Sequence, residues 1–167
     1  MIVEKMQRPQ TLAEVAEIAR SDSSDFPMAL DEFCDEFYLD HPDKSVQQQR
    51  LDPVPQPVGD PSIDAWIGAA GEHLAQRWGL KVPPWTQRKC HFALEHPVFL
   101  PSTLAVRGIV IVESPPAFRS RLIFTRVEPF ERARFPRDVP RAKVPLEWPP
   151  PRETAAEREE RRGKAVA

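Results

Sequence analysis

Residues 60–86 read DPSIDAWIGAAGEHLAQRWGLKVPPWT, and how they fold decides how the rest of the chain is arranged. Asp60 is placed to cap a helix whose first position is Pro61, and Gly79 to stop it, with Pro83 just beyond. Between them Ile63, Trp66, Ile67, Ala70, Leu74 and Trp78 recur at three- and four-residue steps, forming one apolar face. The opposite side, Ala65, Gly68, Ala69, Gly71 and Ala75, is almost without bulk, and only Glu72 and Gln76 there ask for water. A helix with a bulky face and a thin face suits a central position with close neighbours on both sides.

The 167 residues allow one domain of ordinary size plus tails. A hydrophobic fraction of 41% suffices for a core. Twenty prolines beside six glycines point to stiff connections and non-helical extensions, since average proline use is ~5%. No run approaches the roughly 20 apolar residues of a membrane helix, and the opening MIVEKMQRPQ lacks the apolar core of a signal peptide. Two cysteines, Cys34 and Cys90, make no disulfide framework, so a cytoplasmic setting is expected. The net charge of −2 is unevenly spread: residues 1–64 hold 14 acids and 5 bases, residues 65–148 hold 7 acids and 13 bases. Either the two halves attract each other within one fold, or two surfaces meet different partners.

Upstream of the central helix, Thr11 and Glu14 form a capping box that opens a first helix, with Leu12, Val15, Ala16 and Ile18 on its buried side. Asp25 is positioned to cap a second. That helix carries Phe26, Leu30, Phe33, Phe37 and Tyr38 on one face and Asp31, Glu32, Asp35 and Glu36 on the other. An acidic helix side is either ordinary solvation or a docking face for an arginine-rich partner. His41-Pro42 ends the helix, Ser45 to Arg50 reads as a short polar turn, and LDPVPQPVGDP (51–61) as an extended strap between two layers.

Downstream, residues 87–100 read as irregular or weakly helical. The segment TLAVRGIVIVES (103–114) gives conflicting signals. Its β-branched run Ile109 to Val112 favours a strand, while the flanking Ser102 and the SPP at 114–116 favour a helix followed by a second helix start. LIFTRV (122–127) reads as a short strand or extended arm. After Glu128 prolines dominate, and no apolar face would hold the closing TAAEREERRGK, so order there is expected only on a partner. The expected architecture is mainly α: a compact multi-helix domain over residues 10–127 around the central helix, then a Pro/Arg-rich arm and disordered tail at 128–167.

Signatures of catalysis are scarce. No GxSxG elbow, Gly-rich phosphate loop or HExxH occurs. His73, Cys90, His91 and His96 lack paired metal-ligand spacing, so no metal, no cofactor and no enzymatic activity is expected. The arginine-rich run is more suggestive: Arg119, Arg121, Arg126, Arg132, Arg134, Arg137, Arg141 and Lys143, interleaved with Phe118, Phe124, Phe130 and Phe135. Arginine mixed with aromatics serves phosphate contact and base stacking, and equally a protein interface. No helix-turn-helix pair with a basic recognition helix accompanies it.

The order DEFCDEFY (31–38), DAWIGAAGEHLAQRWGLKVPPWT (64–86) and PVFLPSTLAVRGIVIVESPPAFRSRLIF (97–124) resembles a family of small, largely uncharacterised bacterial helical proteins. Its pattern is EHLAxRxGLxVPxWT followed by ESPxAFRxRxIF, and the likeness covers roughly residues 28–125. Several genes of that family lie beside a nucleotidyltransferase-like toxin or follow a helix-turn-helix domain. The resemblance therefore implies an antitoxin-like or regulatory binding protein that is mostly α-helical. It marks Glu72, His73, Leu74, Arg77, Gly79, Pro83, Trp85, Glu113, Ser114, Pro115, Phe118, Arg119 and Arg121. Val106 to Val112 is more β-branched than the pattern, and the Pro/Arg tail is extra to it. The expected function is thus binding and neutralising a partner toxin, with no membrane involved. The contact residues would be Asp31, Glu32, Asp35 and Glu36, then Glu72, His73 and Arg77, and lastly Arg119, Arg121 and Arg126. The alternative is a nucleic-acid-binding regulator that uses the basic arm.

Overall fold

The computed structural model describes residues 8–137 and 139. Among them the chain forms helices α1 (Leu12–Ser21), α2 (Phe26–Leu39), α3 (Lys44–Leu51) and α4 (Pro61–Arg77). Strand β1 (Val98–Phe99), helices α5 (Leu104–Glu113) and α6 (Pro116–Arg119), and strand β2 (Ile123–Phe124) follow. The fold is mainly α.

Helix α4 forms where its caps place it. The Asp60 carboxylate accepts from the N–H groups of Ser62 (2.8 Å) and Ile63 (3.3 Å), with Pro61 at the first position. Gly79 takes a φ of +63°, and the N–H groups of Gly79 and Leu80 donate back to the carbonyls of Gln76 (3.4 Å) and Ala75 (2.8 Å). That is a Schellman ending, which needs a left-handed residue where glycine costs nothing. Ile63, Ile67 and Leu74 join one core cluster with Leu12, Val15, Phe33, Phe37 and Leu51.

The thin side of α4 is just as closely packed. A Cβ at Gly68 would lie 2.5 Å from His91 Cβ, and one at Gly71 would lie 2.6 Å from Trp85 Cη2. The 3₁₀ turns Pro84–Gln87 and Lys89–Phe92 therefore rest on the helix backbone itself. Bulk was left out of this face so that the following segment could be seated there.

The proline-rich strap is fastened at both ends. At its start the Trp85 indole N–H donates to the Leu51 carbonyl at 2.9 Å. At its end the buried Asp64 carboxylate accepts from the N–H groups of Val58 (2.8 Å) and Gly59 (3.1 Å). Substituting Asp64→Ala removes the acceptor of those two donors, and a loss of about 1 kcal/mol, the net worth of such hydrogen bonds, is expected because Val58 is half-buried and Gly59 exposed. Urea denaturation reads it directly, and a loss under about 0.5 kcal/mol would show that the strap is held by something else.

Three local expectations are corrected. Asp25 makes no side-chain cap; instead Asp22 accepts from the Ser24 N–H at 2.9 Å and caps a 3₁₀ turn leading straight into α2. Glu14 reaches past Thr11 to the N–H of Gln10 at 2.7 Å, so the box closes one residue early. Residues 44–51 are a two-turn helix rather than a turn. Asp43 caps it through the N–H groups of Ser45 and Val46, and the buried Gln47 donates to the Phe37 carbonyl at 3.2 Å.

The C-terminal third resolves the conflict at 103–114 in favour of a helix, α5. Its end is tied down by Ser114, whose hydroxyl donates to the carbonyl of Val110 while accepting from the Thr125 N–H at 2.7 Å. Strands β1 and β2 pair in parallel on either side of α5 and α6, with Val98 opposite Ile123 and Phe99 opposite Phe124. Residue 127 is not a packing boundary. Phe130 and Phe135 are core residues, and the Tyr38 hydroxyl donates to the Phe130 carbonyl at 3.0 Å. Each such phenylalanine contributes on the order of 1.5–3 kcal/mol on burial, so residues 128–137 belong to the domain. Arg141, Lys143 and the expected disordered tail lie outside the described residues.

Candidate functional site

The acidic side of α2 is met by the chain's own arginines. Arg132 sets its Nε 2.8 Å and its Nη2 3.2 Å from the two oxygens of Asp35, and its Nη1 2.6 Å from Asp31. Arg8 pairs with Glu32 and, at 3.0 Å, with Glu36; Arg134 stands 4.0 Å from Glu36. The hydrogen bond from Arg132 holds the Asp35 carboxyl below the usual carboxylate range. All four acids expected to form a docking face are thus engaged within the fold. On this face the acids of the first half meet Arg132 and Arg134 from the second, together with Arg8 from their own.

Glu72 and Arg121 form a second, deeper pair. Arg121 follows the short α6, and Leu122 just after it adopts a left-handed φ of 60°, which costs roughly 1–2 kcal/mol for a residue other than glycine. Arg121 is 1% exposed. It reaches Glu72 Oε2 at 2.8 Å, donates to the carbonyls of Ala117 (2.6 Å) and Thr86 (2.7 Å), and carries Phe92 4.3 Å from its guanidinium carbon. Gln87 and Gln76 complete the carboxylate's partners at 3.0 and 3.2 Å. Burial lowers the Arg121 pKa and Glu72 opposes that fall. One side chain thus ties α4, the 84–92 turns and α6 together.

His73 lies one residue along, edge-on to Phe118 at 5.6 Å and near Phe130 at 6.0 Å. Burial, with Arg77 adding to it, pushes its pKa down to about 3. His91 is also buried, with Nδ1 2.6 Å from the Asp64 carbonyl, and burial lowers its pKa as well. Both rings are therefore held neutral. A depressed pKa means that stability is full above the unfolded value of 6.5 and is lost as pH falls towards the folded value. For His73 the expected loss is about 2 kcal/mol between pH 7 and pH 5. His73→Leu should flatten that limb of a stability–pH profile, and an unchanged limb would place the proton elsewhere.

The other expected contact residues are spread apart. Arg77 Nε donates to Glu128 Oε1 at 2.8 Å and lies over Trp78 and Phe135. Arg119 donates to the carbonyls of Val112 (2.9 Å) and Ser114 (2.7 Å), closing α5 onto α6. Arg126 is exposed, beside α5. The structure brings Glu72 and Arg121 together and sets Arg132 on the acids of α2, but it gathers no common site from all ten. Among the described residues no group of three metal-ligating side chains forms, and no helix is long and apolar enough to cross a membrane. Cys34 is buried, and burial pushes its thiol pKa well up.

What the sequence did not mark is the outer side of α5. Val110 is buried at 1%, whereas Leu104 is 78%, Ile109 53%, Ile111 44% and Val112 42% exposed. The only signal for this was the mismatch already visible in 103–114, a strand-like run flanked by helix starts. A cleft of about 370 Å³ runs along one flank of the helix, floored by Val106, Ile109, Val110 and Val127. No protein-family model, curated protein or solved structure matches this chain.

Proposed function

We propose that this chain is an antitoxin-like protein that binds and neutralises a partner toxin and carries out no chemistry of its own. The observation that carries this reading is the bare apolar side of α5. Leucine, isoleucine and valine side chains gathered on one exposed helix side are the mark of a protein contact. The resemblance of residues 28–125 to proteins encoded beside toxins gives that contact its expected occupant. The deep Glu72–Arg121 pair, which ties α4, the 84–92 turns and α6 together, suits a scaffold better than a catalytic group. Reading the chain as a nucleic-acid binder has less support, because Arg121 and Arg132 are engaged within the fold, which among the described residues leaves Arg126, Arg134 and Arg137 as the exposed arginines of that run. Co-expression of this chain with the product of the adjacent gene tests the proposal. The expected result is a co-purifying complex and relief of the neighbour's toxicity; a neighbour that is harmless alone, or that does not bind, would sink it.

A further inference from the structure

We infer that residues 128–137 are a clasp bound in cis to a recognition face on α2, and that this face takes an arginine-rich, aromatic-flanked segment of a protein partner in the clasp's place. The face is separate from the side of α5 taken above as the partner contact. The clasp reads EPFERARFPR and is neither helix nor strand. Its backbone N–H groups at Glu131 and Phe135 donate to the carbonyls of Glu128 (3.4 Å) and Arg132 (3.0 Å), within the segment itself. The ties to α2 and α4 come from side chains. Arg132 spans Asp31 and Asp35, Arg77 meets Glu128, and the Tyr38 hydroxyl donates to the Phe130 carbonyl. Phe130 packs against Trp66 and Phe118, and Phe135 against Tyr38 and Trp78. The segment is thus held as a docked peptide is held, by aromatic anchors around a doubly paired arginine, the residue types in which interfaces concentrate their binding energy.

What sits on the face shows what the face accepts. Of the clasp's arginines, Arg132 contacts Asp31 and Asp35, while Arg134 stands 4.0 Å from Glu36. The other pairings of the α2 acids come from Arg8. The Asp31 side chain stays 52% exposed, so a segment with more than one well-placed arginine gains pairings that the clasp does not make. The Trp78 indole N–H, in the ring cluster with Phe135, is buried without an acceptor. An occupant that brings an acceptor satisfies a donor that the clasp leaves unmet. Nucleic acid and anionic lipid carry the wrong charge for four carboxylates. A second copy of this chain offers the same clasp, and the test separates exchange between copies from capture of a partner.

The probe is a fluorescein-labelled peptide of residues 128–137, with a control peptide whose arginines are replaced by glutamate, each titrated into the full chain. The clasp competes for the face, so the wild type should bind the arginine peptide weakly. Arg132→Glu, which sets the clasp against Asp31 and Asp35, should bind it at least about tenfold tighter, and Arg132→Gln at least about threefold tighter. Joining Asp35→Arg to Arg132→Glu restores an opposite pair in cis and should remove the gain. The glutamate peptide should bind neither the wild type nor Arg132→Glu. Equal binding of the arginine peptide to wild type and Arg132→Glu, binding to neither, or equal binding of both peptides would overturn the inference. So would loss of the cooperative thermal transition in both Arg132→Glu and Arg132→Gln, because a clasp that cannot leave without the core is no separable occupant. A concentration-dependent dimer of the wild type, abolished by Asp35→Arg, would give the face to a second copy and overturn the partner assignment. None of these outcomes bears on the α5 contact, which the adjacent gene's product tests.

Discussion

Replacing Arg121 by leucine should cost about 3–5 kcal/mol, the largest single effect expected in this molecule. The guanidinium is out of contact with water and holds Glu72, the Thr86 carbonyl and the Ala117 carbonyl at 2.6–2.8 Å. Removing it takes from Glu72 its counter-charge and from the Thr86 and Ala117 carbonyls a charged donor, at the junction of α4, the 84–92 turns and α6. Glu72→Gln should also destabilise, by leaving the buried cation without its counter-charge. The double change Glu72→Gln with Arg121→Leu should then cost less than the sum, because neither partner is left charged alone. Chemical denaturation of the four proteins gives the coupling. Strict additivity, or a loss under about 1 kcal/mol for Arg121→Leu, would mean the pair is incidental.

Gly68→Ala should cost about 2–3 kcal/mol even though alanine is the better helix former by ~1 kcal/mol. The new methyl would meet His91 Cβ at 2.5 Å, His91 Cγ at 2.7 Å and Arg121 Nε at 3.0 Å. His91 cannot retreat easily, since its ring is fixed to the Asp64 carbonyl and lies 5.5 Å from the Trp85 ring. The control lies in α5. Gly108→Ala meets nothing within 4 Å and should raise stability by up to ~1 kcal/mol through propensity alone. Opposite signs for the two substitutions in thermal melts are expected; equal signs would show that α4 is not closely covered on its thin face.

Much of this core could be read from α4 itself. Asp60, Pro61 and Gly79 mark its ends by local chemistry, and the run of glycine and alanine on one side foretold a close neighbour. The identity of that neighbour was not legible, because His91 and Arg121 come from segments 23 and 53 residues beyond Gly68 and no local pattern links them. The acidic side of α2 was legible as acidic but not as covered, for the same reason: Arg132 lies 97 residues from Asp35. Phe130 and Phe135 sit among prolines and arginines and read as an arm, yet Tyr38 and Trp78 draw them into the core. In α5, strand propensity lost to the tertiary ties at Ser114 and Val110. The exposed surface that resulted follows from no periodicity in the sequence.

Glu72, Arg121, Arg119 and Arg132 hold segments together. Under the proposed function the partner surface is the aliphatic side of α5, which is exposed among the described residues.

The most direct test is calorimetric titration of the adjacent gene's product into this chain and into its Ile109→Asn variant. Saturable binding to the wild type and at least about fivefold weaker binding to the variant are expected, with both proteins unfolding at the same temperature. Binding that is absent from the wild type, or indifferent to Ile109→Asn, would contradict it.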